Sequence, residues 1–217
     1  DLQKILSSMS IGAERIREIV LSLRNFSRLD EAEMKRVSIH DGLDSTLLIL
    51  QNRLKHSPSH PGIEVVKDYG DLPLVECYAG QLNQVFMNIL SNSIDALDKH
   101  NQERSPEEIS AQPSTIFIKT QVADATTTLT GQTNPQTVII RIRDNGSGIS
   151  AQHQAKLFDP FFTTKPIGKG TGLGLSISYQ IVVEKHHGVI QCISESGQGA
   201  EFWVEIPIRP IGVKSDA

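Results

Sequence analysis

Two pairs of alternating, β-branched segments lie next to one another in this chain, and no helical stripe separates the partners of either pair. Residues 115–122 (Thr-Ile-Phe-Ile-Lys-Thr-Gln-Val) and 137–143 (Thr-Val-Ile-Ile-Arg-Ile-Arg) are joined by the low-complexity stretch 124–136, which reads as a long surface loop. Residues 188–194 and 200–206 are joined by the turn Ser196-Gly197-Gln198-Gly199. Period-two alternation marks strands, and strands connected without a crossover pair antiparallel. Rows of helical spacing lie between and before them. Leu43, Leu47, Leu50 and Leu54 form one, behind Ser38-Ile39-His40-Asp41, which has the spacing of a capping box. Leu82, Val85, Phe86, Ile89, Leu90, Ile94 and Leu97 form a second over residues 79–99, and residues 172–186 form a third. Short strands are expected at 37–39 and 63–67. Residues 100–114, polar and carrying two prolines, read as a loop. The expected fold class is α+β: a two-layer α/β sandwich, a mixed and largely antiparallel sheet covered by three helices.

A long helix is expected ahead of it. Leu2, Ile5, Met9, Ala13, Ile16, Val20, Leu23 and Ser27 recur at three- and four-residue steps with no proline between them. That seam is about 40 Å long at the helical rise, and its narrow apolar stripe suits a partner helix in a bundle. The organisation read from the sequence is therefore 1–34 as a bundle helix and 35–217 as the sandwich domain. The chain of 217 residues is 38% hydrophobic with a net charge of −4, so it carries no global basic field for nucleic acid or anionic lipid. Its 2 cysteines make no disulfide framework, and no apolar run is long enough for a bilayer, which points to a cytoplasmic setting without direct membrane contact. Starting at Asp1, the sequence reads as a fragment of a longer protein.

Three motifs carry chemistry, in a fixed order. In the 79–99 helix, Asn88 and Asn92 stand four apart and share one face. A carboxamide oxygen is a hard neutral ligand suited to Mg²⁺, although both side chains could equally bond a neighbouring element. Asp144-Asn145-Gly146-Ser147-Gly148-Ile149 follows a strand directly. There a strand-end carboxylate can accept from an exocyclic amine while glycines let the backbone approach a ring, yet Asp-Asn-Gly is also ordinary turn chemistry. Finally, Leu157-Phe158-Asp159-Pro160-Phe161-Phe162-Thr163-Thr164-Lys165 leads to Gly168-Lys169-Gly170-Thr171-Gly172-Leu173-Gly174-Leu175 and a helix. Free N–H groups at such a loop–helix junction suit phosphate oxygens. The spacing is neither that of a P-loop nor that of a dinucleotide-binding turn.

This ordered set resembles the ATP-binding domain shared by sensor histidine kinases, type II topoisomerases, mismatch-repair proteins and heat-shock chaperones, the Bergerat fold. Residues 88–92 are similar to its N box, 144–149 to its G1 box, 157–162 to its F box and 168–176 to its G2 box. The F box, and residues 14–28 as the second helix of a dimerisation and histidine-phosphotransfer hairpin, resemble the histidine kinase branch in particular. The resemblance implies ATP and Mg²⁺ as cofactors, with Asn92 on the metal and Asn88 supporting it or the phosphates. It puts Asp144 on the adenine amino group, with Gly146, Gly148, Ile149 and Leu173 near the base. Residues 150–171 would be a mobile lid, and Gly168, Gly170, Thr171, Gly172, Gly174 and Leu175 would border the nucleotide. It also implies autophosphorylation of a histidine, a phosphotransfer hairpin of the same or a partner subunit, a response-regulator receiver domain as partner, and a homodimer for the full-length protein.

Two departures stand out. Many members carry a lysine or arginine three residues after the second N-box asparagine; this chain has Asp95, and Lys165 or Lys169 is expected to supply the charge. None of the 7 histidines reads as a phosphoacceptor, so the acceptor and the general base are expected outside the fragment and no catalytic residue is assigned. His186 and His187, at a helix end, suit cations facing the dipole. Competing readings are a degenerate nucleotide-binding docking module, kept open by Asp95, and a serine kinase of the anti-sigma type, disfavoured by the N-terminal helix. A chaperone or topoisomerase ATPase is disfavoured further, because Gln81, Gln84 and Asn88 stand where those use a glutamate base.

Overall fold

The computed structural model describes residues 33–55, 61–123, 136–165 and 171–209. The expected helix over 2–28, nearly all of the 124–136 connector, and Gly168, Lys169 and Gly170 lie outside the described residues. Five strands form one sheet: β2 (Glu64–Tyr69), β4 (Thr115–Ala123), β5 (Thr137–Asp144), β6 (Val189–Ser194) and β7 (Ala200–Pro207), in the order β2-β4-β5-β7-β6. Two short strands, β1 (Lys35–Val37) and β3 (Val75–Cys77), pair antiparallel beside it. The helices are α1 (Ile39–Leu54), α2 (Ala79–Gln102), α3 (Pro106–Ala111), α4 (Ala151–Gln154) and α5 (Gly174–Tyr179), the last running on as a π-helical stretch, Gln180–Lys185. The fold is α+β with a mixed sheet. β2 and β4 run parallel because α2 crosses over between them, while the other pairs are antiparallel.

Alternation in the strands decides which face meets the helices. Ile116 and Ile118 of β4, Val138, Ile140 and Ile142 of β5, and Phe202, Val204 and Ile206 of β7 are buried, and they join the apolar stripes of α1 and α2 in one core. The intervening residues, among them Phe117, Lys119, Arg141 and Arg143, look outward. One such outward group is tied across strands: the Arg141 guanidinium holds the Glu201 carboxylate in two hydrogen bonds and lies over the Trp203 ring. On β5 the next inward position after Ile142 is Asp144, so the period that builds the core also carries a carboxylate into it.

Among the described residues the expected helices and strands are present with additions, except that the strand expected at 37–39 lies at 35–37, because Ser38 caps a helix that Ile39 opens. Ser38 caps α1, its hydroxyl accepting from the Asp41 N–H. The 100–114 loop holds α3, whose start is a capping box: Ser105 accepts from the Glu108 N–H, and Glu108 accepts from the Ser105 N–H. Pro106, read as a breaker, is the first residue of that helix, where its missing N–H costs nothing. No residue of α3 is buried, so no apolar stripe announced it. β3 and α4 are too short for periodicity to register.

His186 differs from its expected role as an exposed cation. It is buried, its Nε2 accepts from the Tyr78 N–H at 3.1 Å, and its Nδ1 donates to the Ile181 carbonyl at 2.8 Å. That arrangement requires the neutral Nδ1–H tautomer, and it ties the start of α2 to the π-helical stretch. Burial holds the imidazole below its ordinary 6.5; the bond to Ile181 partly opposes this, and His187 adds to it. The unfolded chain therefore binds a proton that the folded chain refuses. Stability is complete above pH 6.5 and is lost as pH falls from there through the folded value. Thermal midpoints measured from pH 7.5 to 5.5 are expected to fall by a few degrees more in wild type than in His186→Gln, whose amide oxygen can still accept from Tyr78.

Candidate functional site

A cavity of about 940 Å³ opens between α2, the ends of β5 and β7, and the segments on either side of residues 166–170. Asp144 lines it and is 2% exposed. Its Oδ1 accepts from the backbone N–H of Gly146 at 3.0 Å and of Ala200 at 3.3 Å, leaving Oδ2 with capacity for a ligand donor. Burial raises the carboxyl above its ordinary value; the amides of Gly146 and Ala200, the Ser93 hydroxyl and the Arg143 charge pull the other way. Ser93 Oγ also lines the cavity, is buried, and makes no hydrogen bond of ordinary geometry. The Ser93 hydroxyl thus stands beside a buried carboxylate that keeps accepting capacity for a further donor. Ile149, Leu157, Leu175 and Phe202 supply apolar wall around them.

The floor is stitched together by side chains that sequence reasoning did not select. Ser194 Oγ accepts from the Ile149 N–H and donates to the Gly199 carbonyl. Gln154 Nε2 donates to the carbonyls of both Ile149 and Ser194. The Gly197 N–H donates to the Ser147 carbonyl. Gly199 packs onto the Asp144 backbone at a φ of +80°, so the β6–β7 turn and the 145–150 loop form one wall. Only the glycine-rich turn at 196–199 could have signalled this, because the contacts that join the two loops span 40 or more residues of sequence.

The other end of the cavity is charged. Asn92 and Asp95 of α2 line it, and Lys165 reaches across: its ammonium lies 3.2 Å from Asn92 Oδ1 and 2.5 Å from Asp95 Oδ2. Arg53 at the end of α1 donates to Asp95 Oδ1 at 2.5 Å and to Asp98 Oδ2 at 3.3 Å. Burial alone would raise the Asp95 carboxyl, but hydrogen bonds from Lys165 and Arg53 outweigh it and hold the group below its ordinary value. A basic side chain thus stands at the N box despite Asp95, delivered from the segment after the Phe-rich motif.

Among the expected site residues, Asn92, Asp95, Asp144, Gly148, Ile149, Lys165, Thr171, Gly172 and Leu175 line the cavity. Gly146 stands behind it as a donor to Asp144. Asn88, expected at the metal or phosphates, is absent from the lining. Its Nδ2 donates to the Gly174 carbonyl at 2.8 Å and to Ser178 Oγ at 3.2 Å, fixing α5 to α2. Gly174 faces that carboxamide, and Leu173 is the N-cap residue of α5. His153, read as a surface group, lines the cavity and faces the Phe162 ring. The Phe161 N–H donates to the Gly172 carbonyl, which draws the two flanks of the 166–170 segment together. A second cavity of about 340 Å³, lined by Val37, Ile39, Leu74, Leu82 and Phe86 among others, lacks any comparable buried carboxylate.

Comparison with known proteins places the chain in a family. The family described as "Histidine kinase-, DNA gyrase B-, and HSP90-like ATPase" matches residues 78–210, more than half of the chain. The chain belongs to that family, and its relatives are two-component sensor kinases. It is 30% identical to the signal transduction histidine-protein kinase AtoS of Escherichia coli over 97% of the chain and 30% of that protein. It is 33% identical to the sensor kinase CckA of Brucella abortus over 90% of the chain and 19% of that protein. The chain thus spans less than a third of these curated relatives. Among solved structures, the nucleotide-free catalytic domain of histidine kinase ThkA aligns with a TM-score of 0.59 at 24% identity, covering 82% of this chain and 97% of that one. Full-length ShkA in complex with AMPPNP aligns at 0.58 and 21% identity, covering 94% and 38%. Among the described residues, no helix is long and apolar enough to cross a membrane.

Proposed function

We propose that the cavity binds Mg-ATP and presents its γ-phosphate to a histidine on a phosphotransfer hairpin, so that the chain is the nucleotide-binding part of a two-component sensor kinase. The observation that carries this reading is Asp144, a buried carboxylate with one oxygen fixed by two backbone amides and the other open to a donor. An adenine amino group is such a donor, and Ser93 Oγ offers a further partner beside it. The flat base would lie against Ile149, Leu157, Leu175 and Phe202, which puts the phosphates toward Asn92 and Lys165.

Mg²⁺ fits this end. Asn92 Oδ1 already faces a cation, the Lys165 ammonium, and a neutral oxygen suits a hard ion that keeps water and phosphate oxygens as its other ligands. When bound, Mg²⁺ supplies neutralisation of phosphate charge. Asn92 would hold it, Lys165 would add positive charge at the phosphates, and Asn88 keeps α5 in place. The acceptor imidazole forms a bond to the γ-phosphorus as the bond to the β–γ bridging oxygen breaks, and ADP leaves. From phosphohistidine the phosphoryl group passes to a response-regulator receiver domain.

Two measurements test the reading. The full-length protein, incubated with ATP labelled in the γ-phosphate, should acquire acid-labile, base-stable phosphate, and Asn92→Ala should abolish it. Label that stays when Asn92 is removed, or that is acid-stable as on serine, overturns the assignment. For the phosphate end, Lys165→Ala should weaken AMPPNP about tenfold, as expected for a charge-assisted contact at a partly exposed site, and leave adenosine affinity unchanged.

A further inference from the structure

Arg53 lies outside the cavity and outside the residues matched to the family, yet it touches Asp95, one of the two features in which this chain departs from the resemblance. Asp95 and Asp98 stand one turn apart on α2, and both line the phosphate end of the cavity. Two carboxylates there repel a triphosphate unless something cancels them. Arg53, projecting from the last turn of α1, bonds both. It takes Oδ1 of Asp95, which leaves Oδ2 turned to Lys165. The carboxylate is thereby shared between a cation behind the site and a cation inside it, and Lys165 is brought to Asn92 Oδ1.

We propose that Arg53 is a positioning residue for the nucleotide's phosphates: it offsets part of the negative charge of Asp95 and Asp98, fixes the Asp95 carboxylate, and through it sets where Lys165 stands. The inference rests on the nucleotide reading above. It explains how a chain with an acid at this N-box position can still present a cation, Lys165, to phosphate without uncompensated carboxylate charge beside it. It also makes the end of α1 a determinant of phosphate binding, although α1 contributes nothing to the base pocket.

The test is calorimetric titration of the 217-residue chain with Mg²⁺-AMPPNP and, separately, with adenosine. Arg53→Gln should weaken AMPPNP roughly five- to tenfold and leave adenosine unchanged, because charge at the phosphate end is altered and the base pocket is not. Arg53→Lys, which keeps the charge, should recover most of the affinity. With Asp95→Asn already in place, Arg53→Gln should cost clearly less than in wild type, about two- to threefold because Asp98 still loses its partner, the non-additivity expected when one residue acts through another. Equal weakening of both probes would mean that α1 has merely loosened. That result, an unchanged AMPPNP affinity, or the full penalty surviving in the Asp95→Asn background would each overturn Arg53's role. A wild-type chain that binds neither probe overturns the nucleotide reading itself, a result distinct from the other three.

Discussion

Asp144→Asn is expected to cost on the order of 100- to 1000-fold in AMPPNP and adenosine affinity while leaving the thermal midpoint equal or higher. The substitution is nearly isosteric, and the amide oxygen can keep the hydrogen bonds from Gly146 and Ala200. What changes is the second oxygen, which becomes an NH₂ group facing the amine of the base. A buried charge-assisted acceptor is replaced by a donor opposed to a donor, a penalty of about 3–4 kcal/mol. Stability moves the other way. The Asp144 carboxyl is raised above its ordinary value chiefly by burial, so at neutral pH its ionised form is a cost to the folded state that asparagine removes. A binding loss accompanied by a lower melting temperature would show that Asp144 is held for the fold and not for a ligand.

The second large effect is expected at Gly199. A Cβ there would lie 2.0 Å from the Asp144 carbonyl oxygen, at a φ of +80°. Gly197, two residues earlier in the same turn, has a φ of +84° and nothing within 4 Å of its would-be Cβ. Both alanine variants carry the left-handed backbone cost of about 1 kcal/mol, but only Gly199→Ala adds a collision with backbone. Gly199→Ala should therefore lower the thermal midpoint several degrees further than Gly197→Ala. It should also weaken nucleotide at least tenfold, because the wall it disturbs fixes the Asp144 carboxylate through the Ala200 amide. Equal behaviour of the two variants would contradict the packing of the β6–β7 turn onto β5.

What the sequence disclosed divides along physical lines. The core helices and strands were legible because Leu82 through Leu97 and the 115–122 and 137–143 segments repeat with clean periods, and those residues are buried as the periods imply. α3 was hidden because it buries nothing, and its proline looked like an interruption. His186 was misjudged because a helix end reads as solvent until the Tyr78 amide is seen to occupy its ring nitrogen. At the site, motifs pointed to Asn92, Asp144 and Lys165, which share the cavity. They could not separate Asn88 from Asn92: four residues apart on one helix, one faces α5 and the other the cavity. Arg53, Ser194 and Gln154 are single residues in unremarkable contexts, joined to the site only by tertiary contact, and Gly199 was legible as part of a turn but not as a neighbour of Asp144.

The account stands on the claim that nucleotide occupies the cavity beside Asp144. Amide chemical-shift mapping of the chain on titration with Mg²⁺-AMPPNP tests it most directly. The largest shifts are expected at Gly146, Gly148, Ile149 and Ala200, with a second set at Asn92 and Lys165 that adenosine does not reproduce. Shifts clustered instead around Val37, Gly42 and Leu74 at the smaller cavity, or none at saturating ligand, would contradict it.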